Sequence, residues 1–285
     1  MTYEEVMRKL ESLASHDPKD LAGMARFGIN VDKAWVISIP KLRTLAKEIR
    51  GGVTLSGTKG PGFGVLDSSC GQNDDGLREL HELALQVWDS GIHEAKILAG
   101  FIDNPKLVTS DQMEKWALGF DSWDVTDMIC GNLFDRTSFA VQKAVEWSAR
   151  PEEFVKRAGF VLMAGLGVHN KTMPDEQFME FLEIIKRESG DNRNFVRKAV
   201  NWALRTIGKS RNERLYQAAI KTCEEILRDY SSSPFDFAQD KLREKFSTRP
   251  NNKEAERAAR FIAGDAIREL QKDYIKNRFT TPGVV

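Results

Sequence analysis

Three side chains in this sequence could take part in one piece of chemistry. Trp123 and Asp127, in the run Phe120-Asp-Ser-Trp-Asp-Val-Thr-Asp127, stand four residues apart, a spacing that puts both on one face of a helix. Arg157, in Val155-Lys-Arg-Ala-Gly-Phe160, holds a similar place in the next apparent repeat. An aromatic, a carboxylate and an arginine from neighbouring helices can therefore meet on one side of the protein. Such a set suits an electron-poor ligand bearing positive charge, with the arginine left to hold a phosphate. Without further context, Asp127 reads as a solvated surface charge, and Arg157 could simply pair with Glu153 at i,i+4.

The elements that must position these residues read as helix after helix. Helical periodicity covers 3–15, 19–28, 40–49, 77–89, 92–102, 110–118, 123–134, 138–148, 151–168, 175–188, 193–208, 213–229 and 252–276. Thr109-Ser-Asp-Gln112 has capping-box spacing, and Pro151 and Pro174 each precede two acids, as at helix starts. No stretch shows sustained strand alternation, and Pro40 fits a first helical turn.

A repeat runs through these helices. Segments starting at Ile92, Trp123, Phe154 and Phe195 align, with starts 31, 31 and 41 residues apart. Each follows a helix carrying an aromatic: Trp88, Trp116, Trp147, then Phe178 with Phe181. Trp88, Trp116 and Trp147 are expected to be core. Helix pairs at such a period imply an all-α, HEAT-like α-solenoid superhelix, in which the inner helices line a concave groove. One domain over 1–285 is expected, with flexible insertions at 51–76 and 231–253, both rich in turn formers.

Composition narrows the function classes. The 42 basic and 42 acidic residues cancel, so whole-chain charge implies no partner. No run of about 18 apolar residues is present, so no membrane span is expected. The N-terminus, MTYEEVMRKLESLASHD, lacks the apolar core of a signal peptide. Cys70, Cys130 and Cys223 are far apart and read as free thiols, which suits the cytoplasm. His16, His81, His93 and His169 form no metal set, and His93 is expected to be a buried, hydrogen-bonding histidine between repeats. Gly165 and Gly167 suggest close helix packing, not a phosphate loop. No metal or cofactor is implied.

One local charge asymmetry stands out. Between residues 193 and 214 lie seven basic residues, Arg193, Arg197, Lys198, Arg205, Lys209, Arg211 and Arg214, against the single acid Glu213. The run reads either as a solvated helix face or as a surface for a phosphate backbone.

Several motifs, in order, resemble the AlkD-type DNA alkylation repair family. They are Met24-Ala-Arg-Phe-Gly-Ile29, Ser38-Ile-Pro-Lys-Leu-Arg43, Trp88-Asp-Ser-Gly-Ile-His-Glu-Ala95, Ser122-Trp-Asp, Phe154-Val-Lys-Arg-Ala-Gly-Phe160 and Val200-Asn-Trp-Ala-Leu-Arg205. The resemblance implies a HEAT-like solenoid that binds duplex DNA and excises positively charged alkylated purines, of the 3-methyladenine and 7-methylguanine type, by cleaving the glycosidic bond. By motif position, the family's catalytic aspartate matches Asp127, its active-site tryptophan Trp123, its catalytic arginine Arg157, and a tryptophan at the rim of the site Trp202. The aromatic that precedes that active-site tryptophan in the best-known active members is Ser122 here. The chemistry fits these residue types. A cationic purine is already a good leaving group, so the protein must stabilise an oxocarbenium-like sugar and place a water, which one carboxylate could do. The tryptophan faces favour cationic groups. Arg157 would hold the phosphate, with Arg193, Arg197, Lys198, Arg205 and Lys209 along the DNA backbone. The expected partner is double-stranded DNA containing alkylated bases, met by a monomer. A non-catalytic DNA-structure-binding protein and a HEAT protein scaffold are the alternatives.

Overall fold

The computed structural model describes residues 1–15, 17–51, 74–230 and 253–280. Among them, every regular element is helical. In chain order these are α1 (Tyr3–Leu13), α2 (Pro18–Arg26), α3 (Ile39–Gly51), α4 (Asp74–Asp89), α5 (His93–Ile102), α6 (Ser110–Leu118) and α7 (Trp123–Asn132). A 3-10 turn at Phe134–Arg136 follows, then α8 (Ala140–Ser148), α9 (Glu153–His169), α10 (Asp175–Glu188), α11 (Asn194–Ser210), α12 (Glu213–Asp229), α13 (Lys253–Leu270) and α14 (Asp273–Thr280). The helix expected over 252–276 breaks after Leu270 and resumes at Asp273. The segments expected as insertions, 51–76 and 231–253, lie for the most part outside the described residues, with Gly51 ending α3, Asp74 opening α4 and Lys253 opening α13.

Local chemistry sets many of these boundaries. Thr2 and Glu5 form a reciprocal capping box at α1, and the Asp17 side chain caps α2 with Pro18 in the first turn. Thr109 accepts the Gln112 amide at 3.1 Å to start α6, as its spacing predicts. Asn212 does the same for α12 through the Leu215 amide. Pro40 falls in the first turn of α3, where its missing N–H costs nothing.

The chain, read from its repeat as one domain, divides into two compact units, Met1–Phe139 and Ala140–Val285. In the first, α5 packs between α3 and α7 and is backed by α4. In the second, α9, α11 and α13 pack in sequence as one row, and α8, α10 and α12 as another. This alternation of rows is what helix pairs produce when neither helix can bury its apolar face alone. The aligned segments fall where the repeat requires. Ile92 caps α5, Trp123 opens α7, and Phe154 and Phe195 are the second residues of α9 and α11.

The preceding helices carry the aromatic core. Trp116, Trp147, Phe178 and Phe181 are fully buried. Trp88 stacks on Trp116 with ring centroids 4.3 Å apart and planes 6° from parallel, an offset geometry aromatic pairs favour. α9 can lie close to α8 because residue 159 is glycine: a Cβ there would stand 2.6 Å from the Ser148 amide nitrogen. Gly165 and Gly167 are buried on the same helix. Cys130 and Cys223 are buried, and burial pushes the Cys223 thiol up to about 12. No helix among the described residues is long and apolar enough to cross a membrane.

The contrast between tryptophans is testable. Trp116→Ala and Trp147→Ala each remove a fully buried ring and should cost about 3–5 kcal/mol in denaturant unfolding. Trp123 is only half-buried, so Trp123→Ala should cost clearly less. Equal losses at all three positions would make Trp123 a packing residue.

Candidate nucleic-acid interface

In the first unit, Trp123 and Asp127 occupy successive turns of α7, both half-buried. The Trp123 indole N–H donates to the Phe27 carbonyl at 3.0 Å. That carbonyl is fixed by the chain that follows α2, and the chain is in turn fixed by α5. Glu94, 1% exposed, accepts the Trp35 amide at 2.8 Å on one oxygen and the Ile37 amide at 3.2 Å on the other. Between those two amides Val36 adopts φ 54°, a left-handed conformation that is unfavourable for a β-branched residue. The Lys33 carbonyl accepts the His93 amide at 3.0 Å, and the Trp35 carbonyl accepts the Ser15 amide at 2.9 Å. A buried carboxylate thus holds a strained segment, and that segment leads back to the Phe27 carbonyl that meets the indole.

α5 also fixes the start of α7 directly. His93 Nε2 lies 2.9 Å from Asp124 Oδ2, and His93 is buried, as expected from sequence. Ser122, fully buried, donates to Asp124 Oδ1 at 2.8 Å. Lys96 donates to the Gly119 carbonyl at 3.0 Å and to Asp121 at 3.1 Å, gripping the turn before the helix. These α5 contacts were not legible as such in the sequence. The only signal was the polar run His93-Glu-Ala-Lys96 inside an otherwise apolar helix.

Burial works against the charge on His93, yet the Asp124 hydrogen bond and charge, with Glu94 and Asp121 nearby, hold its pKa above the usual histidine value. Burial likewise opposes charge on Asp124, but His93 and Ser122 outweigh it and hold that carboxyl below the usual range.

In the second unit, Arg157 is buried on α9 and donates to the Phe195 carbonyl at 2.6 Å. The Phe195 ring lies tilted against Phe154, with centroids 5.5 Å apart, and its amide donates to Glu153 at 3.4 Å. The guanidinium is therefore tied to the first turn of α11. Trp202, on the same helix, is 36% exposed.

The basic run is not uniformly open. Arg193 chelates Asp191, with a closest approach of 2.6 Å, and donates to the Pro151 carbonyl. Arg205 and Lys209 both pair with Glu269 of α13, Lys209 at 2.6 Å. Arg211 donates to the Asn170 and Met173 carbonyls, and Arg214 pairs with Glu176 at 2.8 Å. Arg197 lies over the Phe261 ring at 5.2 Å and donates to Asn194. Lys198 is exposed. The structure thus places Trp123 and Asp127 together in one unit. In the other it ties Arg157 to α11, which carries Trp202, Arg197, Lys198, Arg205 and Lys209. No group of three or more metal-ligating side chains occurs among the described residues.

Comparison with known proteins fits this architecture. A solved structure described as "a new family of proteins related to the HEAT-like repeat DNA glycosylases with affinity for branched DNA structures" superposes with a TM-score of 0.60 at 18% identity, covering 79% of this chain and 83% of that one. The fold is therefore that of the HEAT-like helical-repeat proteins. The sequence profile of the DNA alkylation repair enzymes matches residues 68–270, and the chain belongs to that family. Uncharacterized protein Lin0241 of Listeria innocua serovar 6a is 22% identical over 151 residues, which make up 53% of this chain. The match spans 65% of that relative's length, just under two thirds.

The His93–Asp124 pair has a definite pH signature. The raised His93 value means its contribution is complete below the unfolded histidine pKa of about 6.5 and is lost as pH rises through the higher folded value. The lowered Asp124 value means its contribution is present above about 3.9 and is lost as pH falls through the lower folded value. The melting-temperature gap between the native protein and His93→Gln should be widest between about pH 4 and 6.5 and narrow above that. A gap unchanged up to pH 9 would show that His93 carries no charge in the pair.

Proposed function

We propose that this protein is a DNA-alkylpurine glycosylase, hydrolysing the glycosidic bond of positively charged alkylated purines in duplex DNA without a cofactor. The observation that carries the reading is the shared face of α7, where Asp127 stands one turn from an indole oriented by the Phe27 carbonyl. Membership of the DNA alkylation repair enzymes supports it. In this reading Asp127 stabilises the sugar cation as the base departs and orients the attacking water. The Trp123 face stabilises positive charge on the base or sugar. Arg157 serves the phosphate beside the lesion. On α11, Trp202, Arg197 and Lys198 meet the DNA backbone, with Arg193, Arg205 and Lys209 on the same element or at its start.

A second reading, a non-catalytic protein that binds DNA structures, is favoured by one residue. The position before Trp123 holds a small, buried Ser122 whose hydroxyl is engaged by Asp124, so no second ring stands beside the indole there. The structural relative described as having affinity for branched DNA points the same way.

Release of 7-methylguanine or 3-methyladenine from methylated duplex DNA separates the two. Asp127→Asn keeps the size but removes the charge, so excision should fall about tenfold or more, while duplex binding holds or tightens. No base release by the native protein, with duplex or branched DNA still bound, would establish the second reading.

A further inference from the structure

Lys198, Trp202, Arg205 and Lys209 are spaced four, three and four residues apart on α11, so they form one stripe along the helix. The stripe is divided. Its first half, Lys198 and Trp202, is exposed, and among the described residues no carboxylate pairs with Lys198. Its second half faces Glu269 of α13, which takes Arg205 on one oxygen and Lys209 on the other, the latter at 2.6 Å. The Glu269 side chain is 17% exposed, against 27% for Arg205 and 37% for Lys209. Both cations thus remain more open to solvent than the carboxylate they share. A carboxylate that bridges two cations in this way occupies the place a phosphate oxygen would take. α13 is held in register by the Asn201 side chain, which donates to the Ile262 carbonyl at 2.8 Å.

We propose that Glu269 is an internal counter-charge that withholds Arg205 and Lys209 from the DNA backbone, so that α13 sets how tightly α11 grips duplex DNA. The proposal rests on the reading above that α11 faces DNA. With Glu269 in place the trio presents one net positive charge; without the carboxylate's charge it presents two. Burial opposes ionisation of Glu269, but the two cations outweigh it and hold its pKa below the usual range, so the counter-charge is present at neutral pH. Its consequence is a lower affinity and a shallower salt dependence than the basic composition of α11 implies, because a cation already neutralised has fewer counterions to displace from DNA.

The test is titration of a labelled, undamaged duplex oligonucleotide at several salt concentrations, with thermal melting of each variant alongside. Glu269→Gln keeps the shape and should raise affinity and steepen the slope of log affinity against log salt by about one unit. The double variant Glu269→Gln with Arg205→Gln should lose that gain. Glu269→Ala removes the same charge without leaving an amide beside the two cations and should steepen the slope likewise, a comparison that stands even if Glu269→Gln folds poorly. A slope unchanged by Glu269→Gln and by Glu269→Ala, in proteins that melt normally, would overturn the counter-charge. A slope indifferent to Lys198→Gln, or no duplex binding, would overturn the DNA-facing reading of α11 and the counter-charge with it.

Discussion

The first unit depends on satisfying one buried carboxylate. Glu94 is almost wholly removed from water, and an unpaired charge there would cost several kcal/mol. The Trp35 and Ile37 amides supply its hydrogen bonds, which obliges the intervening Val36 to take a positive φ. Strain of this kind persists only where the surroundings over-determine it. Here they do, through the Lys33 and Trp35 carbonyls and their amide partners on α5 and after α1. The reward for the geometry lies at the far end of the segment, where the Phe27 carbonyl orients the Trp123 indole.

The same short helix holds α7 by its beginning. His93 reaches Asp124, and Lys96 reaches the turn at Gly119 and Asp121. Asp124 draws in the Ser122 hydroxyl as well, so the first turn of α7 is fixed by side chains and not by a simple N-cap bond. In the reaction proposed above, a first turn held in this way would serve Trp123 and Asp127, because placement of a carboxylate relative to a reacting centre matters at the ångström level. How firmly the pair is held is decided by the chain's own residues on α5.

The second unit shows how far composition can mislead about charge. Read along the chain, α11 and its flanks carry a strong basic excess. In space, the neighbouring Asp191 pairs with Arg193, while Glu176 arrives from elsewhere to meet Arg214 and Glu269 to meet Arg205 and Lys209 together, cancelling one of their two charges. The excess that remains lies at Lys198, at Arg197, whose guanidinium is laid over Phe261, at Arg211, which donates to backbone carbonyls, and in the one charge that Glu269 leaves uncancelled. An electrostatic footprint is a property of the folded surface, and sequence proximity is a poor guide to it when helix pairs bring in acids from some sixty residues away.

By itself the sequence determined the helices, their repeat and the residue types at its recurring positions. Those are local properties: apolar period, caps such as Thr109, proline at Pro40, and an aromatic in each supporting helix. It also placed Trp123 and Asp127 on one helix face, since four-residue spacing dictates that regardless of context. What it left open were the partners of polar side chains. That Glu94 would clamp a strained loop, that Arg157 would reach the Phe195 carbonyl, and that Glu269 would bridge two α11 cations are outcomes of long-range packing. Tertiary structure decided these because a buried charge must find its hydrogen bonds wherever the fold brings donors close, and nothing in the neighbouring sequence records where that is.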